Sequence, residues 1–243
     1  MYHPFSIAET LKAAWNIFKK NFVTIIVYSI IAFLLIFIMG IVIGILIPTG
    51  DFYTEMLASL ILLFIQAYST LGLYKLIFTL IDSEYYEFEF SQVVPRIKMI
   101  LSYLAVAFII GFCVVTYKIL ILDNLFENVI ALTAANVIGV MIMLYLILRF
   151  MFFNTFVVDD DSGPIESLRQ SFTLTKDHTL HVLAILGIIV LTIAIPIKAS
   201  QYFPWVSILI LFAYPFVNII LIVTYRKLVY SNQDIDDDVT ETI

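Results

Sequence analysis

The chain has 243 residues, of which 62% are hydrophobic and 13% charged, and a net charge of -6; its mean hydropathy is +1.04. A soluble domain is about half apolar and a quarter charged, so this composition excludes a water-soluble globule and points to an integral membrane protein. The acidic balance excludes a nucleic-acid partner, whose phosphates would ask for a basic face.

The chain opens on an amphipathic stretch. Ser6 and Glu9 have the S-x-x-E spacing of a capping box. Ile7, Leu11, Ala14, Trp15, Phe18 and Phe22 then recur at helical spacing, opposite a face of Glu9, Lys12, Asn16, Lys19 and Lys20. This predicts a helix over about 6–20 that lies in the inner headgroup layer, with Trp15 as its anchor. No cleavable leader is expected, since the first apolar run is too long and lacks a small-residue cleavage site.

Six runs carry no Asp, Glu, Lys or Arg: 22–47, 57–74, 99–117, 129–148, 182–197 and 203–225. A helix needs roughly 20 apolar residues to cross the hydrocarbon core, and long basic side chains at its ends can snorkel. Spans are therefore predicted at about 22–47, 56–81, 99–118, 129–153, 180–199 and 203–226. The hydrophobicity is continuous rather than alternating, which excludes a membrane β-barrel.

Within the first span, Gly40 and Gly44 form a G-x-x-x-G that predicts close helix approach. The second carries Gln66, Tyr68, Ser69 and Thr70 near its middle and Lys75 toward its inner end. In "FSQVVPRIKMILSYL", Ser91 can cap and Pro95 can occupy a first turn, predicting a second amphipathic helix over about 91–98. Cys113 is the single cysteine; it reads as a small buried packing residue, and no disulfide or zinc knuckle can be built from it. The fourth span carries Asn136 and Arg149.

The phrase "ETLKAAWNIFK" from Glu9 returns as "ESLRQSFTLTK" from Glu166. Gly163, Pro164 and Glu166 suit the start of a helix, and Ile165, Leu168 and Phe172 give it a thinner apolar stripe, so a third amphipathic helix is predicted over 163–177. Asp159, Asp160 and Asp161 precede it as an acidic cap that complements the helix dipole. The repeat implies one module, an interfacial helix opening a two-span hairpin, used three times. The fold class is thus all-α and integral to the membrane: a single domain over 1–230 of six transmembrane helices in three hairpins, each preceded by a cytoplasmic-side amphipathic helix. Residues 231–243 read as a disordered acidic tail.

All but Lys118 and Lys198 of the 13 Lys and Arg residues fall on the inner side if the N-terminus is cytoplasmic. This positive-inside bias predicts both termini in the cytoplasm.

Arg149-Phe150 at a span end, the turn from Asp159 to Asp161 before Gly163-Pro164, and then Glu166, Ser167, Leu168, Ser171 and Lys176 form a recognisable signature. Together with the amphipathic opening, it resembles bacterial six-span proteins similar to the membrane domain attached to some glycerophosphodiester phosphodiesterases. The resemblance implies a fold and a bacterial cytoplasmic-membrane location. It carries no hydrolase activity over, because such an enzyme needs a separate soluble domain with acidic metal ligands and histidines.

Arg149 has two readings, a structural anchor that snorkels or pairs with an aspartate of the following turn, and a contact for an anionic ligand. His178 and His181 sit three apart beside Asp177, with His3 on the same side; two histidines without a third ligand do not make a metal site. No nucleophile with its base, carboxylate pair or phosphate-binding loop appears, so no catalytic residue, cofactor or metal is expected. The expectation is a non-enzymatic protein that interacts with membrane lipids, a membrane partner or a second copy of itself, with Trp15, Lys19, Lys20, Arg149, Arg169 and Lys176 meeting phosphates. The rival reading is a carrier or exporter whose polar path is lined by Gln66, Asn136, Arg149 and Asn218.

Overall fold

A computed structural model describes residues 6–47, 50–82, 90–125 and 129–240. Among them there is no strand; the nine α-helices are α1 (Ile7–Lys20), α2 (Phe22–Leu46), α3 (Phe52–Asp82), α4 (Ile97–Tyr117), α5 (Val129–Phe150), α6 (Phe153–Asp159), α7 (Pro164–Lys176), α8 (Thr179–Ser200) and α9 (Ile208–Thr240). Six helical stretches are long and apolar enough to cross a bilayer, Val129–Asp159 combining α5 with α6. The protein is an all-helical, multi-pass membrane protein. The side bearing α1 and α7 is called inner below.

Ser6 caps α1 by accepting from the Glu9 N–H at 3.4 Å, but Glu9 does not complete the expected box; its carboxylate lies 3.5 Å from the Lys227 ammonium. In α7 the other half of the box forms, with the Gly163 N–H donating to Glu166 at 3.5 Å. The two copies of the repeated phrase bury equivalent positions. Thr10, Ala14 and Phe18 of α1 are buried, and so are Ser167, Ser171 and Thr175 of α7. A spacing of four on a helix keeps such residues on one face.

The second amphipathic helix expected over 91–98 does not form. Phe90–Val93 makes a single 3-10 turn, and α4 begins only at Ile97, after an extended Arg96 with φ -69 and ψ 149. Pro95 is the cause: it disfavours helical backbone at the residue before it and brings no N–H to continue a helix. Lys75 of α3 reaches across, its ammonium donating to the Val94 carbonyl at 2.8 Å.

The fourth span is broken. Between α5 and α6 the backbone leaves helical geometry at Phe152, φ -100 and ψ 8. Ser171 of α7 repairs the break, its hydroxyl accepting from the Phe152 N–H at 3.2 Å and donating to the Arg149 carbonyl at 2.8 Å. The corresponding residue of the first copy is Ala14, where no such break needs covering. The acidic end read as disordered from 231 continues α9 as helix to Thr240; neither Gly nor Pro interrupts it, and propagation adds one hydrogen bond per residue.

Tyr74 and Ile77 of α3, Ile219, Ile222 and Tyr225 of α9, and Phe152 and Phe156 around the α5–α6 break form the main core, joined by Ala14 and Phe18 of α1 and Val182 and Ile185 of α8. α1 packs on α9, the 3-10 turn on α3, and α7 on α5 and α6. The G-x-x-x-G of α2 is not an internal packing motif, because a Cβ at Gly40 or Gly44 would meet nothing. Close approach occurs instead at Gly72, which leaves room for the Tyr28 side chain. Cys113, expected to be buried, is exposed on α4, since that face of the helix turns away from the bundle.

Candidate functional site

The inner face carries three groups of polar side chains. The first joins α3, α6 and α9. The Arg226 guanidinium lies 2.8 Å from Asp82 and 3.5 Å from Asp159, with its carbon 5.0 Å from the centre of the Phe78 ring. Tyr225 donates to Asp159 at 2.9 Å. Beside this junction a cavity of about 420 Å³ is lined by Lys75, Thr79, Asp82, Gln92 and Asp159 among others.

The second group ties α4 to the turn before α7. Asp161 takes both Arg96 and Lys98 at 3.3 Å, and its carbonyl accepts from the Lys98 ammonium at 2.7 Å. Asp161 adopts φ 53, a left-handed backbone that Asp tolerates better than most residues. The acidic triplet is thus divided among Tyr225 and Arg226, Gln170, and the two basic residues at the start of α4, Arg96 and Lys98. Capping the α7 dipole is left to Glu166.

Burial, with repulsion from Asp159 and Glu166 and against the attraction of Arg226, pushes the Asp160 carboxyl above its ordinary range. A carboxyl raised on folding binds its proton more tightly in the folded state. Its stabilising contribution is present below the unfolded pKa and is lost as pH rises through the folded one. Asp160→Asn is therefore expected to raise the melting temperature at neutral pH and to lose that advantage on acidification. A melting difference between variant and parent that stays constant from neutral to acid pH would contradict this.

The third group is the collar formed by α1 and α7. With the equivalent stripes of the two helices buried, Trp15, Lys12, Lys19 and Lys20 of α1 are exposed, as are Phe172, Arg169 and Lys176 of α7; Trp15 is 54% exposed. The apolar stripe of α1 covers α9, where Trp15 and Phe18 meet Phe216 at ring separations of 5.8 and 5.5 Å. Each inner segment is held by a cation from the helix beneath it: Lys75 on Val94, Arg149 on Thr175 at 3.5 Å, and Lys227 on Glu9.

Arg149 pairs with no aspartate of the following turn; Arg226 does so instead. The Arg149 guanidinium lies between the rings of Tyr145 and Phe172, 5.2 Å from each centre. Its Nε is buried without a hydrogen-bond partner. Nothing in the apolar runs singled Arg226 out, because the aspartates it meets lie on other helices.

The four residues of the expected polar path are not brought together. Asn136 is exposed on α5. Asn218 is buried and donates to the Tyr214 carbonyl at 2.8 Å, one residue before the in-helix Pro215. Gln66 alone lines a large cavity between α2, α3 and α9, about 1010 Å³ in volume. No three His, Cys, Asp or Glu side chains come together as a metal site among the described residues; His3 lies outside them.

No curated protein and no solved structure matches the chain. Residues 88–231 match one family, described as Domain of unknown function (DUF7847). They include α4 to α8, the 3-10 turn before α4 and the whole of the last membrane-crossing stretch, Pro204–Tyr230. That match takes in more than half of the chain, which therefore belongs to the DUF7847 family.

Proposed function

We propose that this is a non-enzymatic membrane protein that engages anionic lipid headgroups, or a membrane partner bearing the same chemistry, through the collar of α1 and α7. The observation that carries the reading is the shared burial of the two copies. Each turns its buried stripe to the bundle and leaves an aromatic ring beside exposed cations that form no ion pair among the described residues, Trp15 with Lys19 and Lys20, Phe172 with Arg169 and Lys176. An aromatic at headgroup depth and a Lys or Arg near an anionic surface, worth about 1 kcal/mol each, are the usual elements of such binding. Arg149 supports Phe172 from below rather than meeting phosphate itself.

On this reading the protein sits in a bacterial cytoplasmic membrane with both termini cytoplasmic, an orientation that follows from the distribution of Lys and Arg. It is a relative of the membrane domain of glycerophosphodiester phosphodiesterases that does membrane work and no hydrolysis. Reconstituted in nanodiscs of equal phosphatidylglycerol and phosphatidylcholine, the protein should retain phosphatidylglycerol preferentially on delipidation. Lys19→Ala with Lys20→Ala and Trp15→Ala should reduce that enrichment severalfold at about 1 kcal/mol per cation. Unchanged enrichment in a folded triple variant would remove the collar from the account.

A further inference from the structure

The cavity between α2, α3 and α9 is independent of the collar and has a different chemistry. One end is polar. Tyr28 donates to the Ser69 carbonyl at 2.9 Å, and the Thr70 and Tyr214 hydroxyls lie 3.3 Å apart. The Ser69 hydroxyl, in a residue only 6% exposed, is buried without a partner. From that end the α2 wall continues to Ile36, eight residues or about 12 Å toward the outer side, and the opposite wall runs back along α9 to Trp205 in the 3-10 turn Pro204–Ser207 that precedes it. Between them the surface is mostly apolar, with Phe33, Leu73 and Leu211, interrupted by Gln66 of α3 and by Ser207 beside Trp205. None of the described residues lining the cavity is Asp, Glu, Lys or Arg.

This pattern selects an occupant. A charged headgroup is disfavoured, because no counter-charge lines the walls and desolvating an unpaired charge is expensive. A pure hydrocarbon would leave the Ser69 hydroxyl unsatisfied, which costs more than a missing attraction. The volume, about 1010 Å³, is at the upper end of the roughly 300–1,000 Å³ usual for small-molecule sites. We propose that the cavity binds one uncharged long-chain amphiphile, its hydroxyl or carbonyl group bonded at Ser69, Thr70 and Tyr214 and its chain lying along α2 and α9 toward Trp205.

The test uses the whole protein in phosphatidylcholine nanodiscs and a hexadecanol analogue bearing a photoreactive diazirine on its chain. One adduct per chain is expected, mapped by mass spectrometry to the facing surfaces of α2, α3 and α9. Unlabelled hexadecanol should compete at least about tenfold better than hexadecane or hexadecyl phosphate, the factor that roughly 1.4 kcal/mol represents. Ser69→Ala combined with Thr70→Val and Tyr214→Phe should weaken labelling by a similar factor. Ala32→Phe, which fills the cavity from α2 and removes no hydroxyl, should abolish it and decides the matter if the polar variant fails to fold. Adducts spread evenly over exposed faces such as that of α5, equal competition by hexadecane, or full labelling of a folded Ala32→Phe protein would each overturn the proposal.

Discussion

Gly72→Ala should destabilise the protein by about 1–3 kcal/mol, the usual cost of overpacking a close contact, and Tyr28→Phe in the same chain should recover most of that loss. A Cβ at residue 72 would collide with the Tyr28 hydroxyl and come within 3.2 Å of the ring carbon that bears it. The hydroxyl is not free to move away without cost, because it donates to the Ser69 carbonyl at 2.9 Å. Removing it by Tyr28→Phe sacrifices that bond, about 0.6 kcal/mol for an average hydrogen bond between membrane helices. It also leaves only a tight contact with the ring carbon, which a few tenths of an ångström relieve. The two changes should therefore be strongly non-additive, the double variant being more stable than Gly72→Ala alone. Equilibrium unfolding in mixed micelles gives the cycle, and a double variant whose loss equals the sum of the singles would show that α2 and α3 do not meet through this pair.

Arg226→Met should cost about 2–3 kcal/mol, the range of hydrogen bonds to charged groups, because one guanidinium holds α3, α6 and α9 together. The ranking among its partners is a sharper expectation. Asp82 is the nearer at 2.8 Å against 3.5 Å for Asp159, yet its side chain is 58% exposed and that of Asp159 only 26%. An exposed ion pair contributes about 0–1 kcal/mol, whereas a carboxylate withdrawn from water suffers more when its partner goes. Asp159→Asn should accordingly cost more than Asp82→Asn, helped by the Tyr225 hydroxyl that also depends on Asp159. Arg226→Lys should restore only part of the stability: Nη2 alone reaches both carboxylates while Nη1 donates to the Tyr230 hydroxyl and the planar group stacks on Phe78, and an ammonium cannot do all three. The reverse order of the two aspartates would mean that distance, not burial, governs this junction.

The helices themselves were largely legible. Lipid imposes a one-dimensional demand, a continuous apolar run of sufficient length, and the chain meets it six times. Ser6 and Pro164 mark helix starts because their signals are local. Pro95 carries the same local signal, but its ring also disfavours helix at the residue before it, so Phe90–Val93 stays a single 3-10 turn and α4 starts only at Ile97. The repeat at Glu9 and Glu166 was visible as letters; that Thr10, Ala14 and Phe18 bury in register with Ser167, Ser171 and Thr175 was not.

What the sequence determined by itself was therefore the number of spans and the short helices α1 and α7, each of which follows from the residues of a short stretch. Which faces meet was decided only in the tertiary structure. In water a buried face announces itself by being more apolar than its surroundings, but a helix in lipid is apolar all round. Packing then depends on shape, as at Gly72 and Tyr28, and on a few polar pairs far apart in the chain. Arg226 with Asp82 and Asp159, Thr70 with Tyr214, and Ser171 across the α5–α6 break are such pairs. No short stretch contains both halves of any of them, which is why the inner junction and the cavity emerge only when the helices are assembled.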